Sequence, residues 1–277
     1  NSTGGYNTAT GSHSLYANTT GGNNVGLGYY ALKANTTASN NVAVGYAALM
    51  ATTTGGYNTA VGHNALAANT TGVDSTAVGY LALNAHTTGN NNVAVGNNTG
   101  DALTTGTYNT AVGRRALDVT TTGNYNVAIG ADAGTTSTGN ECVFVGQQAG
   151  NGVSSAGSCI HIGYNSGNAN DTRSIVIGND ITSYGSEYIT LGGMGVGRVY
   201  NDFSANANWT RTSDERKKKD IITNTDCGLN FVNDLRTVTY KWKAPSEMPD
   251  TFEEYNSDVN EPTYKNKMYG FIAQEVK

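Results

Sequence analysis

Ser213 and Lys218 are the residues whose types and spacing could do chemistry. They stand five apart in Thr212-Ser213-Asp214-Glu215-Arg216-Lys217-Lys218-Lys219-Asp220-Ile221. A serine and a lysine make a nucleophile and its base, provided the lysine is neutral part of the time. Arg216, Lys217 and Lys219 crowd Lys218 with like charge, which favours its neutral form, and burial would add to the effect. A spacing of five is about 140° on a continuous helix, so Ser213 is expected on a turn leading into any helix that carries Lys218. The plainer reading is a charged helix start with Ser213 as its N-cap. The basic run is a poor nucleic-acid patch, because Asp214, Glu215 and Asp220 cancel most of its charge.

The stretch lies on a boundary in composition. Twenty-two of the 65 residues from Ser213 onward are charged, against 15 of the 212 before it. The whole chain of 277 residues has a formal charge of -5, which argues against general nucleic-acid binding. Its 36 glycines follow no Gly-X-Y triplet, which excludes collagen, and no apolar run approaches the roughly 18 residues of a membrane span. Three cysteines, Cys142, Cys159 and Cys227, do not make a disulfide-dense scaffold. The chain starts at Asn1 inside a repeat, so a further N-terminal part is expected.

Residues 1 to 192 are periodic. Gly11, Gly28, Gly45, Gly62, Gly79, Gly96, Gly113 and Gly130 are 17 residues apart, and Gly146, Gly163, Gly178 and Gly192 continue at 16, 17, 15 and 14. Such a period predicts a solenoid, here a mainly β parallel roll of about twelve coils of 14 to 17 residues. Val42-Ala43-Val44 and Val127-Ala128-Ile129 are typical of the short β-branched strands that precede each glycine. Strand side chains alternate. The large residue just before the glycine is therefore expected inside the coil, and the Ala or Gly before it outside, where another backbone would pack. One thin stack would leave apolar surface exposed, so association between chains is expected. Asparagine recurs four before the glycine (Asn7, Asn24, Asn41, Asn58, Asn92, Asn109, Asn126), a position suited to an amide ladder. Cys142 and Cys159 continue that column near bridging distance. They read better as two small residues in the ladder, since parallel neighbours orient poorly for a bridge.

Within the repeats, Tyr29, Tyr46, Tyr80 and Tyr164 directly follow the glycine and are the candidate glycan contacts. Tyr6, Tyr57, Tyr108 and Tyr125 precede the asparagine column. Packing ladders between coils or chains is the competing and preferred reading of both sets. His63, His86 and His161 fall in different columns, carboxylates are sparse, and Gly193-Met194-Gly195-Val196-Gly197 lacks a Walker lysine. No metal site, glycosidase pair, phosphate loop or cofactor is therefore expected. Sequons such as Asn18-Thr19-Thr20 and Asn69-Thr70-Thr71 recur with the repeat and read as structural.

Residues 193 to 212 form a connector anchored by Phe203 and Trp209, expected to wrap or pair between chains. Residues 213 to 277 read as a small α+β domain. A helix is expected over Gly228 to Leu235, a strand over Thr237 to Lys243, an exposed acidic loop from Ala244 to Glu261, and a second strand over Met268 to Ala273.

Asn58-Thr59-Ala60-Val61-Gly62 and its equivalents resemble the head repeats of trimeric autotransporter adhesins and of many phage tail fibres. The resemblance implies a left-handed parallel β-roll, trimerised side by side. Ser213-Asp214-Glu215-Arg216-x-Lys218, Ile221, Leu235-Arg236-x-Val238 with Trp242, and Gly270-Phe271-Ile272-Ala273-Gln274-Glu275-Val276 resemble the intramolecular chaperone of endosialidase family, peptidase family S74. Carried over, this implies a domain that trimerises, helps a β-rich fibre fold and then cuts the Thr212-Ser213 bond, with Ser213 as nucleophile and Lys218 as base. Lys217 departs from the family, which usually has an apolar residue there, and the family domain normally continues well past Val276.

Taken together, these resemblances imply a virion tail fibre or tailspike segment, outside the cell, whose enzymatic activity is limited to a single self-cleavage. The expected partners are itself as a parallel homotrimer, a host-surface glycan or protein receptor, and other tail or baseplate proteins through the N-terminal part. Nucleic acid and membrane insertion are not expected. The alternatives are the head of a bacterial trimeric adhesin at the cell surface, or the stalk of a polysaccharide-degrading tailspike.

Overall fold

The computed structural model describes residues 3–153, 157–167, 171–193, 199–202, 218–223, 237–247 and 268–271. The chain divides into two compact units, Asn1–Ala207 and Asn208–Lys277. The first unit is a parallel β-solenoid of about eleven turns. Its strands are β1 (Thr8–Thr10), β2 (Val25–Leu27), β3 (Val42–Val44), β4 (Thr59–Val61), β5 (Thr76–Val78), β6 (Val93–Val95), β7 (Thr110–Val112), β8 (Val127–Ile129), β9 (Val143–Val145), β10 (Ile160–Ile162), β11 (Ile175–Asn179) and β12 (Tyr188–Gly193). They pair in sequence order in a single sheet, each in register with the next coil, as Val42 with Thr59 and Ala43 with Ala60. β13 (Val199–Asp202) then turns back and pairs antiparallel with β12.

The coils stack this closely because of the glycine that ends each strand. Gly62 has φ +140°, and a Cβ there would lie 2.2 Å from the carbonyl oxygen of Gly79 in the next coil. Backbone therefore lies directly on backbone, with no room for a side chain.

Inside and outside are the reverse of the sequence expectation. From β2 on, the middle residue of the three-residue strands points inward: Ala43, Ala60, Ala77, Ala94 and Ala128 are completely buried. The large residue before the glycine points out, with Val95 37% and Ile129 43% exposed. The reason lies across the coil. Leu32, Leu49, Leu66, Leu83 and Leu117 turn into the interior from corners with φ between +50° and +53°. They fill a narrow cross-section, so the facing strand position must be small. In later coils the partners exchange sizes. Phe144 and His161 replace the strand alanine, and glycines 134, 150 and 167 replace the corner leucine. A Cβ on Gly150 would meet the Phe144 ring at 2.1 Å, and one on Gly167 would meet the His161 ring at 2.3 Å.

The asparagine column is a relay to backbone more than a side-chain ladder. Asn41 Oδ1 accepts the Asn58 N–H at 2.9 Å, while Asn41 Nδ2 donates to the Gly55 carbonyl at 3.0 Å. Amide-to-amide bonds join it at Asn109 to Asn92 and at Asn126 to Asn109. A second buried column holds the asparagines of the sequons. Asn18 and Asn69 donate to the carbonyls of Gly21 and Gly72, which fits their structural reading.

The second unit contains an antiparallel sheet of β14 (Lys218–Thr223), β15 (Thr237–Trp242) and β16 (Met268–Phe271), with β15 central. A short 3-10 turn at Pro245–Glu247 follows β15, and it is the only helical element among the described residues. Within the strands expected over Thr237 to Lys243 and Met268 to Ala273, Thr237–Trp242 and Met268–Phe271 are strand, while Ile272 and Ala273 lie outside the described residues. The helix expected over Gly228 to Leu235, most of the acidic loop, Phe203 and Trp209 lie outside the described residues.

Candidate functional site

Lys218 opens a strand, not the helix that the sequence reading allowed for. The β-branched run Ile221-Ile222-Thr223 accounts for this: it loses side-chain freedom in a helix and packs well on a pleated surface. Lys218 stands opposite Trp242 and Lys219 opposite Lys241. The register then shifts, because Ile222 pairs with Thr239. Asp220 and Ile221 therefore share one opposing residue, Tyr240, in a β-bulge that begins two residues after Lys218. Bulges bend the strand, raise its twist and re-aim side chains. Thr212 and Ser213 lie outside the described residues. Fully extended chain from Ser213 to Lys218 would span about 17 Å. A working dyad thus needs the intervening residues to fold back on the start of β14.

Three of the four candidate tyrosines form one column, and the sequence reading missed its fourth member. Tyr29 and Tyr46 have ring centroids 5.5 Å apart with planes at 20°, Tyr46 and His63 are at 4.8 Å and 13°, and His63 and Tyr80 at 5.4 Å and 30°. His63 follows Gly62 as the tyrosines follow their own glycines, so the offset alone could have found it. Tyr164 has the same offset and is likewise partly exposed. On the other side of the strands, Tyr108 and Tyr125 stack at 5.1 Å and 3°. The stacked rings cover one another's faces. What they offer to solvent is a row of ring edges and hydroxyls about 5 Å apart, the coil spacing. At the start of this row the Tyr29 phenol is pushed above its usual value, chiefly by its hydrogen bond with Tyr30.

The other two histidines are interior. His86 Nε2 lies 2.8 Å from the Gly89 carbonyl, where it stands in for an asparagine of the sequon column, and burial holds its pKa below the ordinary value. His161 Nε2 lies 3.0 Å from Ser174 Oγ, and burial lowers its pKa to about 4, against a smaller opposing effect of Asp171. Among the described residues no three His, Cys, Asp or Glu side chains form a group that could hold a metal ion. None of the described helices is long and apolar enough to cross a membrane.

Residues 213–277 match the protein family described as chaperone of endosialidase, Peptidase_S74. No curated protein and no solved structure gives a significant match to the chain.

Proposed function

We propose that the chain is a segment of a homotrimeric viral tail fibre or tailspike, folded by its C-terminal chaperone domain and released from that domain by self-cleavage at Thr212-Ser213. The observation that carries this reading is the order of parts: a long parallel β-solenoid directly precedes a chaperone-of-endosialidase domain at residues 213–277.

The physics of the solenoid supplies a need for such a chaperone. Each coil buries little alone, and the parallel pairing joins residues about 17 apart only after a costly first coil has formed. Until the coils close, unpaired strand edges are open to wrong partners. The outer face of the sheet supports association between copies. Val and Ile side chains such as Val93, Val95, Val112, Ile129 and Ile177 stand half-exposed along it. A strip one strand wide and eleven coils long presents roughly 500 Å², near the upper end of what monomers leave uncovered. Three copies set side by side would cover it. The row of aromatic edges would face a host-surface glycan or protein receptor.

Cleavage is a single event per chain. The ε-amine of Lys218 takes the proton of the Ser213 hydroxyl, and Oγ attacks the Thr212 carbonyl carbon. Collapse of the tetrahedral intermediate breaks the C–N bond as the Ser213 nitrogen is protonated, leaving an ester to Oγ. Water then hydrolyses the ester, giving a Thr212 carboxylate and a new N-terminus at Ser213. Severing the folding domain removes the route back to the unfolded state and makes the stability of the fibre kinetic.

Denaturing gels of the wild type, Ser213→Ala and Lys218→Ala test the proposal. The wild type is expected to release a fragment beginning at Ser213, and both variants to remain full length. An uncleaved wild type would overturn the proteolytic part. A cleaved product that sediments as a monomer would overturn the trimer.

A further inference from the structure

The relay of asparagines stops at Cys142. Its N–H is received by Asn126 Oδ1 at 3.0 Å, the last such bond of the column. In the next coil the equivalent residue is Cys159, immediately before Ile160, which pairs with Val143. Both cysteines are completely buried, and their sulfurs lie 2.8 Å apart. In-register parallel neighbours hold their Cα atoms about 4.8 Å apart, inside the range a disulfide spans. Parallel neighbours are expected to orient poorly for a bridge, but these two side chains converge.

We infer that Cys142 and Cys159 are a modification site, joined by a disulfide that staples the ninth coil to the tenth. The oxidant is a small-molecule disulfide such as oxidised glutathione. The Cys142 thiolate attacks one of its sulfurs and expels the first thiolate, leaving a mixed disulfide on Cys142. The Cys159 thiolate then attacks the Cys142 sulfur and expels the second. Two electrons pass to the oxidant, which leaves as two thiols with the two cysteine protons. In the closed stack the contact between the two sulfurs sets their acidities apart. The Cys159 thiol beside Cys142 holds the Cys142 thiol below its usual value despite burial, whereas Cys159 is pushed up by the same contact and by burial. Because both thiols are buried in the finished stack, the exchange occurs while the tenth coil closes onto the ninth or when it opens locally. The covalent link takes over where the amide relay ends.

The test uses the full chain refolded with oxidised glutathione, denatured in iodoacetamide and mapped without reduction. A peptide pair linked through Cys142 and Cys159, with Cys227 alkylated, is the expected result. Reduction should then lower the melting temperature of the wild type and leave the Cys142→Ala/Cys159→Ala double variant unmoved. Full alkylation of Cys142 and Cys159, or a link from either to Cys227, overturns the proposal. A Cys142–Cys159 link whose reduction leaves the melting temperature unchanged overturns its role as a staple. The wild-type map stands even if the double variant fails to fold.

Discussion

The coil that carries Leu49 and the coil that carries Phe144 fill the same cross-section with opposite partners. In the first, an alanine on the strand faces a leucine on the corner. In the second, a phenylalanine on the strand faces a glycine on the corner. Neither choice is free. The corner adopts positive φ in both, +51° at Leu49 and +69° at Gly150. A non-glycine residue in that region carries strain of order 1 kcal/mol or more. The early coils accept it to place a large side chain on the corner. The later coils relieve it and place the bulk on the strand. Between these two coils what is kept is a volume, shared between two positions, more than a residue at either. The coil of Ala94 and Gly100 is small at both and has the buried Leu103 beside its corner instead.

Putting both large residues in one coil should do the most damage. Gly150→Leu adds a side chain where even a Cβ would lie 2.1 Å from the Phe144 ring, and it should abolish the cooperative melting of the later coils. Phe144→Ala alone leaves a cavity and should cost about 3–5 kcal/mol in denaturant unfolding. The two changes together recreate the early pairing, so a double-mutant cycle should show a coupling above about 2 kcal/mol. Simple additivity would refute the shared-volume account.

A smaller loss is expected from the relay that both kinds of coil inherit. Asn58→Ala leaves the Ser75 N–H without its buried partner, while the Gly72 carbonyl keeps only the bond from Asn69. At roughly 1–3 kcal/mol for an unsatisfied group, the cost should be about 1–3 kcal/mol. Asn126→Ala, at the edge of the later coils, should lose the same two bonds, to the Cys142 N–H and the Gly139 carbonyl. A much smaller loss at Asn126 would show that the later coils do not depend on the relay.

The least of the three effects is in acid. His161 has a folded pKa of about 4, below its unfolded value near 6.5. The unfolded chain therefore binds the proton first. The contribution is fully present above pH 6.5 and falls away as pH drops toward 4, by about 2 kcal/mol at pH 5. Melting curves of wild type and His161→Phe should diverge over that window, with the variant less acid-sensitive. His86 acts in the same direction in the early coils. Parallel curves would exclude His161 as the source.

The glycine spacing made the solenoid legible, down to the strand positions, because backbone stacked on backbone permits only glycine there. Which face turns inward was not legible from alternation. Counting apolar bulk on the strand alone ignores the leucine that enters from the opposite corner. The signal was nevertheless present: Phe144 and His161 appear where the corner residue becomes Gly150 and Gly167. In the C-terminal unit, the alternating Val238, Tyr240 and Trp242 disclosed β15. Lys218 was read with its charged neighbours, whereas Ile221, Ile222 and Thr223 decided its conformation. The aromatic column was recognised by residue type, so His63, which continues it by position, was passed over.

The relay also has a direction. Each of these asparagines sends its amide oxygen to the coil that follows it in sequence, Asn41 to the Asn58 N–H and Asn126 to the Cys142 N–H. Its amide nitrogen goes to the Gly55 or Gly139 carbonyl, with Asn109 and Asn126 also donating back to the preceding asparagine. A stack interrupted anywhere in the early repeats would thus be a polymer with one live end and one dead end. The live end carries unspent acceptors and donors that select an incoming coil in the correct register. In the last coils the column passes through Cys142, Cys159 and Ser174, and the antiparallel β13 lies across the final parallel strand. Propagation has a chemical terminator written into the same column that drives it.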